Sequence, residues 1–328
     1  MSKYNCWGIY SPYIEQMLDL KIACGYKCSK DIYFLQQFDK YTIERNEVVV
    51  GITKELVDEW CNHDKIIKDS IRYNRYVHLG QLATHLCKIG IPSYIPRISY
   101  RHPTFTPYIF SKEEIEAIFM EADNLRNLWR NKMTCIFSIP VLLRLLYSTG
   151  LRIGEALSLR NKDINLIENY ILVKDSKSRE ERIIPISDSL STTFKDYSSH
   201  KKKVPILQDE ESPFLPNLQG GFCKSETIIL NFRKILSKAG IPYANNGYHP
   251  RIHDLRHTFA CHSLASMIES ELDIYTTLPI LSAYLGHKTL KSTEKYVRLT
   301  AAIYPQLIKD INITFLDVFP KIKHDETN

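Results

Sequence analysis

The stretch IPSYIPRISYRHPTFTP, residues 91–107, constrains this chain more than any other segment. It holds four prolines in seventeen residues. Proline lacks a backbone N–H, fixes φ and pushes the preceding residue out of the helical region. No helix passes through such a segment, so it reads as an extended connection. It divides the 328-residue chain into an N-terminal domain over 1–95, a linker over 96–107 and a larger domain over 108–328. That length suffices for two domains and a sizeable core. Arg97, Arg101 and His102 suit the linker to lie along a polyanion.

The N-terminal 95 residues read as short helices. SPYIEQMLDLKIACGY and DIYFLQQFDKYTIE repeat apolar residues at three- and four-residue spacing. TKELVDEWCNH offers Thr53 as an N-cap and sets Leu56, Val57 and Trp60 on one face. DSIRYNRYVHLGQLATHLCKIG interleaves Arg72 and Arg75 with Tyr73 and Tyr76 and ends at Gly90. Those residues make either a solvated helix edge or a basic, aromatic-bearing face for DNA phosphates.

Beyond the linker, Ser111 and Glu114 form a capping-box pattern at a helix start. The apolar run MTCIFSIPVLLRLLYSTG is interrupted by Pro140 and Arg144. It is therefore a buried helix and not a membrane span. NYILVKD and ERIIPIS are β-rich runs joined by the polar SKSRE, which predicts a hairpin. The remainder is helical, so the fold class is mainly α with a small β-sheet (α+β). HKKK at 200–203 reads as a solvated loop. The net charge of +6 leans toward anionic partners without proving one. The N-terminus lacks the apolar run of a signal peptide. The eight cysteines show no CxxC pair, so reduced thiols and a cytoplasmic location are expected.

Four polar residues interrupt the helix pattern of RIHDLRHTFACHSLA, residues 251–265: His253, Arg256, His257 and His262. Leu255, Phe259, Ala260, Leu264, Met267 and Ile268 make its apolar stripe. His253 and Arg256 are three apart, so they are surface neighbours on a helix. Together they suit an anionic oxygen gripped from two directions. Zinc is the rival, because His253 and His257 are four apart. The residue between them at the metalloprotease glutamate position is Asp254, and Arg256 repels a cation. No metal is expected, and His257 and His262 read as structural. YSTGLRIGEALSLR ends a helix at Gly150 and starts another at Arg152, with Glu155 placed to orient that guanidinium. YLGHKTLKSTEKYVRLT closes a helix at Gly286, then offers His287 and, nine residues on, Tyr296.

These pieces, in this order, resemble the tyrosine recombinase family of phage integrases and Xer- and Cre-type recombinases. The matching motifs are TGLRIGEAL, VKDSKSREERIIPI, HDLRHTFA and LGHKTLKSTEKYVRL, and they span about residues 106–305. The resemblance implies a helical core-binding domain followed by a catalytic domain. It implies that Arg152 and Arg256 clamp the scissile phosphate and that Glu155 supports them. Lys177, preferred over Lys174 on its spacing to the following strand, would protonate the leaving 5′-oxygen. His253 would accept a proton or donate to the phosphate, His287 would bond a non-bridging oxygen, and Tyr296 would be the nucleophile. The segment between Arg256 and His287 is longer than in compact family members.

Such chemistry is self-consistent. Fixed arginines stabilise charge growing on phosphorus without a metal. Tyrosine attack stores the bond energy in a covalent 3′-phosphotyrosine, so no cofactor is expected. The implied partner is double-stranded DNA at specific sites, contacted also through Arg72, Arg75, Arg97 and Arg101. The implied assembly is a homo-tetramer on two duplexes, joined by the apolar C-terminal tail that includes Phe315, Leu316, Val318 and Phe319; the alternative is that this tail folds back on its own domain. The integrase or transposase of a mobile element is the leading role. The alternatives are Xer-type dimer resolution, an inactive DNA-binding relative and a type IB topoisomerase.

Overall fold

The computed structural model describes residues 3–63, 69–97, 106–125, 135–174, 181–241 and 249–304. The chain separates into two compact units, Met1–Phe105 and Thr106–Asn328.

The first unit holds α1 (Ser11–Ala23), α2 (Ser29–Glu44), α3 (Lys54–Asn62) and α4 (Asp69–Lys88). Its core joins Tyr10, Ile14, Leu18, Leu35, Phe38, Leu56, Trp60, Leu79 and Leu82. Thr53 caps α3, its side chain accepting from Leu56 N at 3.1 Å.

The second unit is mainly helical with one small antiparallel sheet. It runs through α5 (Lys112–Asp123), α6 (Ile139–Thr149) and α7 (Ile153–Ser158), then β1 (Ile164–Asn165), β2 (Tyr170–Lys174) and β3 (Glu181–Pro185). The helices α8 (Asp188–Lys201), α9 (Ser225–Lys238), α10 (Asp254–Glu269), α11 (Ile274–Leu285) and α12 (Lys291–Ile303) follow. The sheet order is β1-β2-β3, and Lys174 pairs with Glu181 where the hairpin opens. Ser111 and Glu114 form the capping box at the start of α5.

α10 is the spine of this unit. Leu255, Arg256, Ala260, Cys261 and Leu264 are buried along it. It packs against α6, α11 and α12. Thr258 anchors the start of the unit: its hydroxyl accepts from Phe110 N at 3.0 Å and donates to the Asp254 carbonyl at 2.8 Å. Among the described residues no helix is long and apolar enough to cross a membrane.

Candidate active site

Two helix C-termini meet beside the start of α10. α6 ends at Gly150 and α11 ends at Leu285–Gly286, both glycines with φ near +60° (60° and 65°). A helix C-terminus leaves carbonyls without partners and carries a partial negative charge. Here arginines fill that vacancy. The Arg256 guanidinium, 2% exposed, donates to the carbonyls of Gly150 at 2.6 Å and Leu285 at 2.7 Å. Arg152 donates to the carbonyl of Gly286 at 3.3 Å. One helix end thereby holds two cations side by side.

Glu155, one turn into α7, binds Arg152 twice. It accepts from the Arg152 backbone N at 2.9 Å and from Nη1 at 2.8 Å. Burial pushes its carboxyl pKa up, but hydrogen bonds from Arg182 and Arg152 outweigh that and hold it below the usual range. The Arg152 side chain stays 40% exposed, so its guanidinium can reach an incoming ligand.

His287 follows Gly286. Its Nδ1 lies 2.8 Å from Thr293 Oγ1 at the start of α12, which fixes the ring. That ring stacks on Tyr296 with centroids 6.1 Å apart and planes 14° apart. Burial, then the Arg256 charge, pushes the His287 pKa down to about 4. His253 stands at the N-cap position of α10, without a side-chain capping bond, and is exposed. Burial of part of its ring and the Arg256 charge push it down to about 4, and solvent at its open edge screens part of that shift. Both rings are neutral near pH 7.

Tyr296 is fully buried on α12, among Ala260, Cys261, Leu264, Leu281 and Leu285. Its hydroxyl lies 3.0 Å from His257 Nδ1. Burial pushes the phenol up to about 12 and pushes His257 down to about 2. The neutral imidazole therefore accepts and the phenol donates. The Lys295 ammonium sits 5.0 Å from the centre of the tyrosine ring, and burial lowers its pKa.

The structure thus brings Arg152, Glu155, Arg256, His287 and Tyr296 together, with His253 at the edge. Lys177 lies outside the described residues. The alternative, Lys174, points to the buried Asp163, with Nζ 3.8 Å from Oδ1. In the first unit, Arg75 lies over the Trp60 ring and donates to the Trp60 carbonyl at 2.8 Å. Arg72 pairs loosely with Asp69 at 3.4 Å. Arg97 is exposed, and Arg101 lies outside the described residues.

Two residues at the site take no part in the chemistry read from the sequence. His257 reads there as structural, and here it holds the Tyr296 hydroxyl. Arg182, on β3, grips Glu155 through two nitrogens, Nη2 at 2.9 Å and Nη1 at 3.3 Å. Its signal lies in the strand period, which sets it on the same face as the buried Ile184.

The family model named phage integrase family matches residues 109–302. A protein of Sinorhizobium fredii named as an integrase/recombinase is 26% identical over 301 residues, covering 90% of this chain and 94% of the relative. The tyrosine recombinase XerC of Staphylococcus aureus is 26% identical over 246 residues, covering 70% of this chain and 68% of XerC. The fold is similar to that of a lambda integrase tetramer bound to a Holliday junction, with TM-score 0.60 and 16% identity, covering 87% of this chain and 76% of that one. The chain belongs to the phage integrase family and is a tyrosine-type site-specific recombinase.

Proposed function

We propose that this enzyme cuts and rejoins DNA strands through a covalent 3′-phosphotyrosine formed on Tyr296. The observation that carries the reading is the convergence of Arg152, Arg256, His287 and Tyr296 around the C-terminus of α11. A phosphodiester entering there meets the open guanidinium of Arg152 and the His253 ring. In-line attack forms the Tyr296 O–P bond, expels the 5′-oxygen and passes the phenol proton to the neutral His253. Charge growing on the non-bridging oxygens is met by Arg152, Arg256 and His287. Lys177 is assigned the proton for the leaving oxygen. The freed 5′-hydroxyl of a second strand then attacks the phosphotyrosine, which restores Tyr296 and rejoins the DNA.

Tyr296 is fully covered in this structure. Reacting atoms must approach to roughly 3–3.5 Å, so the hydroxyl has to be uncovered for the attack. We assign duplex contacts to Arg72, Arg97 and Arg101. Arg75 is assigned a weaker share, because Trp60 already holds it. The working assembly is a homo-tetramer on two duplexes, joined by the tail, which lies outside the described residues. We keep a mobile-element role ahead of Xer-type resolution, in line with the relative named integrase/recombinase that aligns with 90% of the chain.

The test uses a nicked duplex that traps the covalent adduct, carrying a site selected from random DNA by binding of the full chain. Tyr296→Phe should bind this DNA as the parent does and form no adduct. A denaturant-resistant adduct at undiminished yield would remove Tyr296 from the nucleophile role.

A further inference from the structure

Arg182 takes no role from the family resemblance, yet it joins the parts of the site. It stands on β3, the strand that leaves the hairpin carrying Lys177. Its side chain is only 15% exposed. Nη1 and Nη2 clasp the two oxygens of Glu155 at 3.3 Å and 2.9 Å. Nε donates to the carbonyl of Tyr284 at 3.2 Å. In return the Tyr284 hydroxyl donates to the carbonyl of Pro185, also on β3, at 3.2 Å.

The last turn of α11 therefore receives three arginines on three successive carbonyls. Arg182 takes Tyr284, Arg256 takes Leu285 and Arg152 takes Gly286. Gly286 leaves no spare room there, since a Cβ on it would meet the Arg182 guanidinium carbon at 3.0 Å. The Arg182 side chain is 15% exposed against 40% for Arg152, and all three of its nitrogens are engaged by Glu155 and Tyr284, so this guanidinium is the less open to a phosphate. Its action passes through Glu155. That carboxylate lies between two guanidiniums and holds Arg152 by both backbone and side chain.

We propose that Arg182 is a positioning residue: its bidentate grip on Glu155 and its bond to the end of α11 fix the direction in which Arg152 meets the scissile phosphate. This inference rests on reading Arg152 as a phosphate clamp. Without Arg182, the Glu155 carboxylate is free to turn and the Arg152 fork turns with it. A misplacement of about 1 Å in such a clamp costs on the order of 100-fold in rate. A lysine cannot replace Arg182, because one ammonium does not span both carboxylate oxygens and the Tyr284 carbonyl.

The experiment compares two nicked duplexes of the same selected site. One carries the natural phosphate at the scissile position, the other a methylphosphonate, in which a neutral methyl group replaces a charged oxygen. An arginine that acts by meeting the phosphate charge matters less on the neutral linkage. Adduct formation is measured with the full chain for the parent, Arg152→Gln, Arg182→Met and Arg182→Lys. For Arg182→Met we expect about a 10- to 100-fold loss on phosphate, shrinking to within about threefold on methylphosphonate. Arg182→Lys should follow the same pattern. Each comparison is a ratio within one protein, so a smaller folded fraction cancels.

The inference is overturned if Arg182→Met matches the parent on phosphate, or if its loss is equal on the two linkages while that of Arg152→Gln shrinks. If the loss of Arg152→Gln does not shrink either, the clamp reading of Arg152 fails, and the inference built on it fails with it.

Discussion

Gly150 closes α6 and gives its carbonyl to Arg256, so alanine at this position probes packing and site together. The residue sits at φ +60°. Alanine in that left-handed region costs about 1–2 kcal/mol. The lower entropy of the unfolded alanine chain returns about 0.4–1 kcal/mol. The larger effect is steric. The new Cβ would meet Phe259 Cδ1 at 2.4 Å and Leu285 Cδ2 at 2.9 Å. Rotating Phe259 out of the way would break its stack on Tyr284, whose ring centroid is 5.6 Å away. Overpacking of this kind costs about 1–3 kcal/mol. Taken at the middle of each range, the net destabilisation of Gly150→Ala is about 2–3 kcal/mol.

Gly154 supplies the control four residues later. It is exposed on α7, and a Cβ there meets nothing within 4 Å. Gly154→Ala should stabilise the unit by about 0.5 kcal/mol. Amide hydrogen exchange read by mass spectrometry separates the two units. In Gly150→Ala the most protected peptides of α6, α10 and α11 should exchange about 30- to 150-fold faster, at 1.4 kcal/mol per decade. Peptides of α1–α4 should not change. Protection in α10 within threefold of the parent refutes the packing argument, as does equal loss in both variants.

Three further outcomes follow from the site and the linker. His257→Leu leaves the buried Tyr296 hydroxyl without its acceptor and should destabilise the chain by about 1–3 kcal/mol; His257→Asn keeps an oxygen near the position of Nδ1 and should retain most of that stability in urea unfolding, so equal losses would count against the bond. The folded pKa values of His253 and His287 are about 4 against an ordinary 6.5, and that of His257 is about 2. Between those values the unfolded chain binds protons that the folded chain does not, so stability rises with pH across that window. The slope is at most about 1.4 kcal/mol per pH unit per histidine, and smaller for the exposed His253. The melting temperature should fall on the acid side of about pH 6.5 and level off above it, and a melting temperature flat across the window would contradict the buried, neutral rings. Replacing Arg97 and Arg101 by alanine should weaken binding to all DNA sequences and flatten the log–log salt dependence by ~0.9 for each phosphate no longer neutralised; an unchanged slope would make the linker a tether only.

The residues that were legible in the sequence are those whose chemistry stands in the side chain and repeats at short spacing. The stripe of Leu255, Ala260 and Leu264 announced α10, and Gly150 and Gly286 announced the ends of α6 and α11. Arg152 and Glu155 are three apart on one helix start, so their pairing is a matter of local geometry. The anchors of the buried guanidiniums are of another kind. Arg256 is held by carbonyls 106 and 29 residues away, and a carbonyl has no letter in a sequence. Arg182 reaches Glu155 across 27 residues and reaches Tyr284 across 102; only its inward register beside Ile184 hinted at a buried role.

The partner of His257 is hidden from the sequence for a different reason. A histidine on the buried side of a helix is usually satisfied by some neighbour, and here the neighbour is Tyr296, 39 residues on. That bond also shows why the two classes of residue belong to one design. Three arginines near one another repel, and burial, joined by the Arg152 charge, lowers the Arg256 pKa to about 10. The C-terminus of α11 offsets that repulsion with its carbonyls, and Glu155 offsets it with a full charge. Those same carbonyls belong to the segment that continues into His287 and then to the helix of Tyr296. A shift of α11 by even a fraction of a turn would therefore move the arginine anchors, the histidine and the start of the helix that carries Tyr296 together. Were Tyr296 to be uncovered by such a shift, the anchor of Arg152 at Gly286 would move with it, because both are tied to the same short helix end.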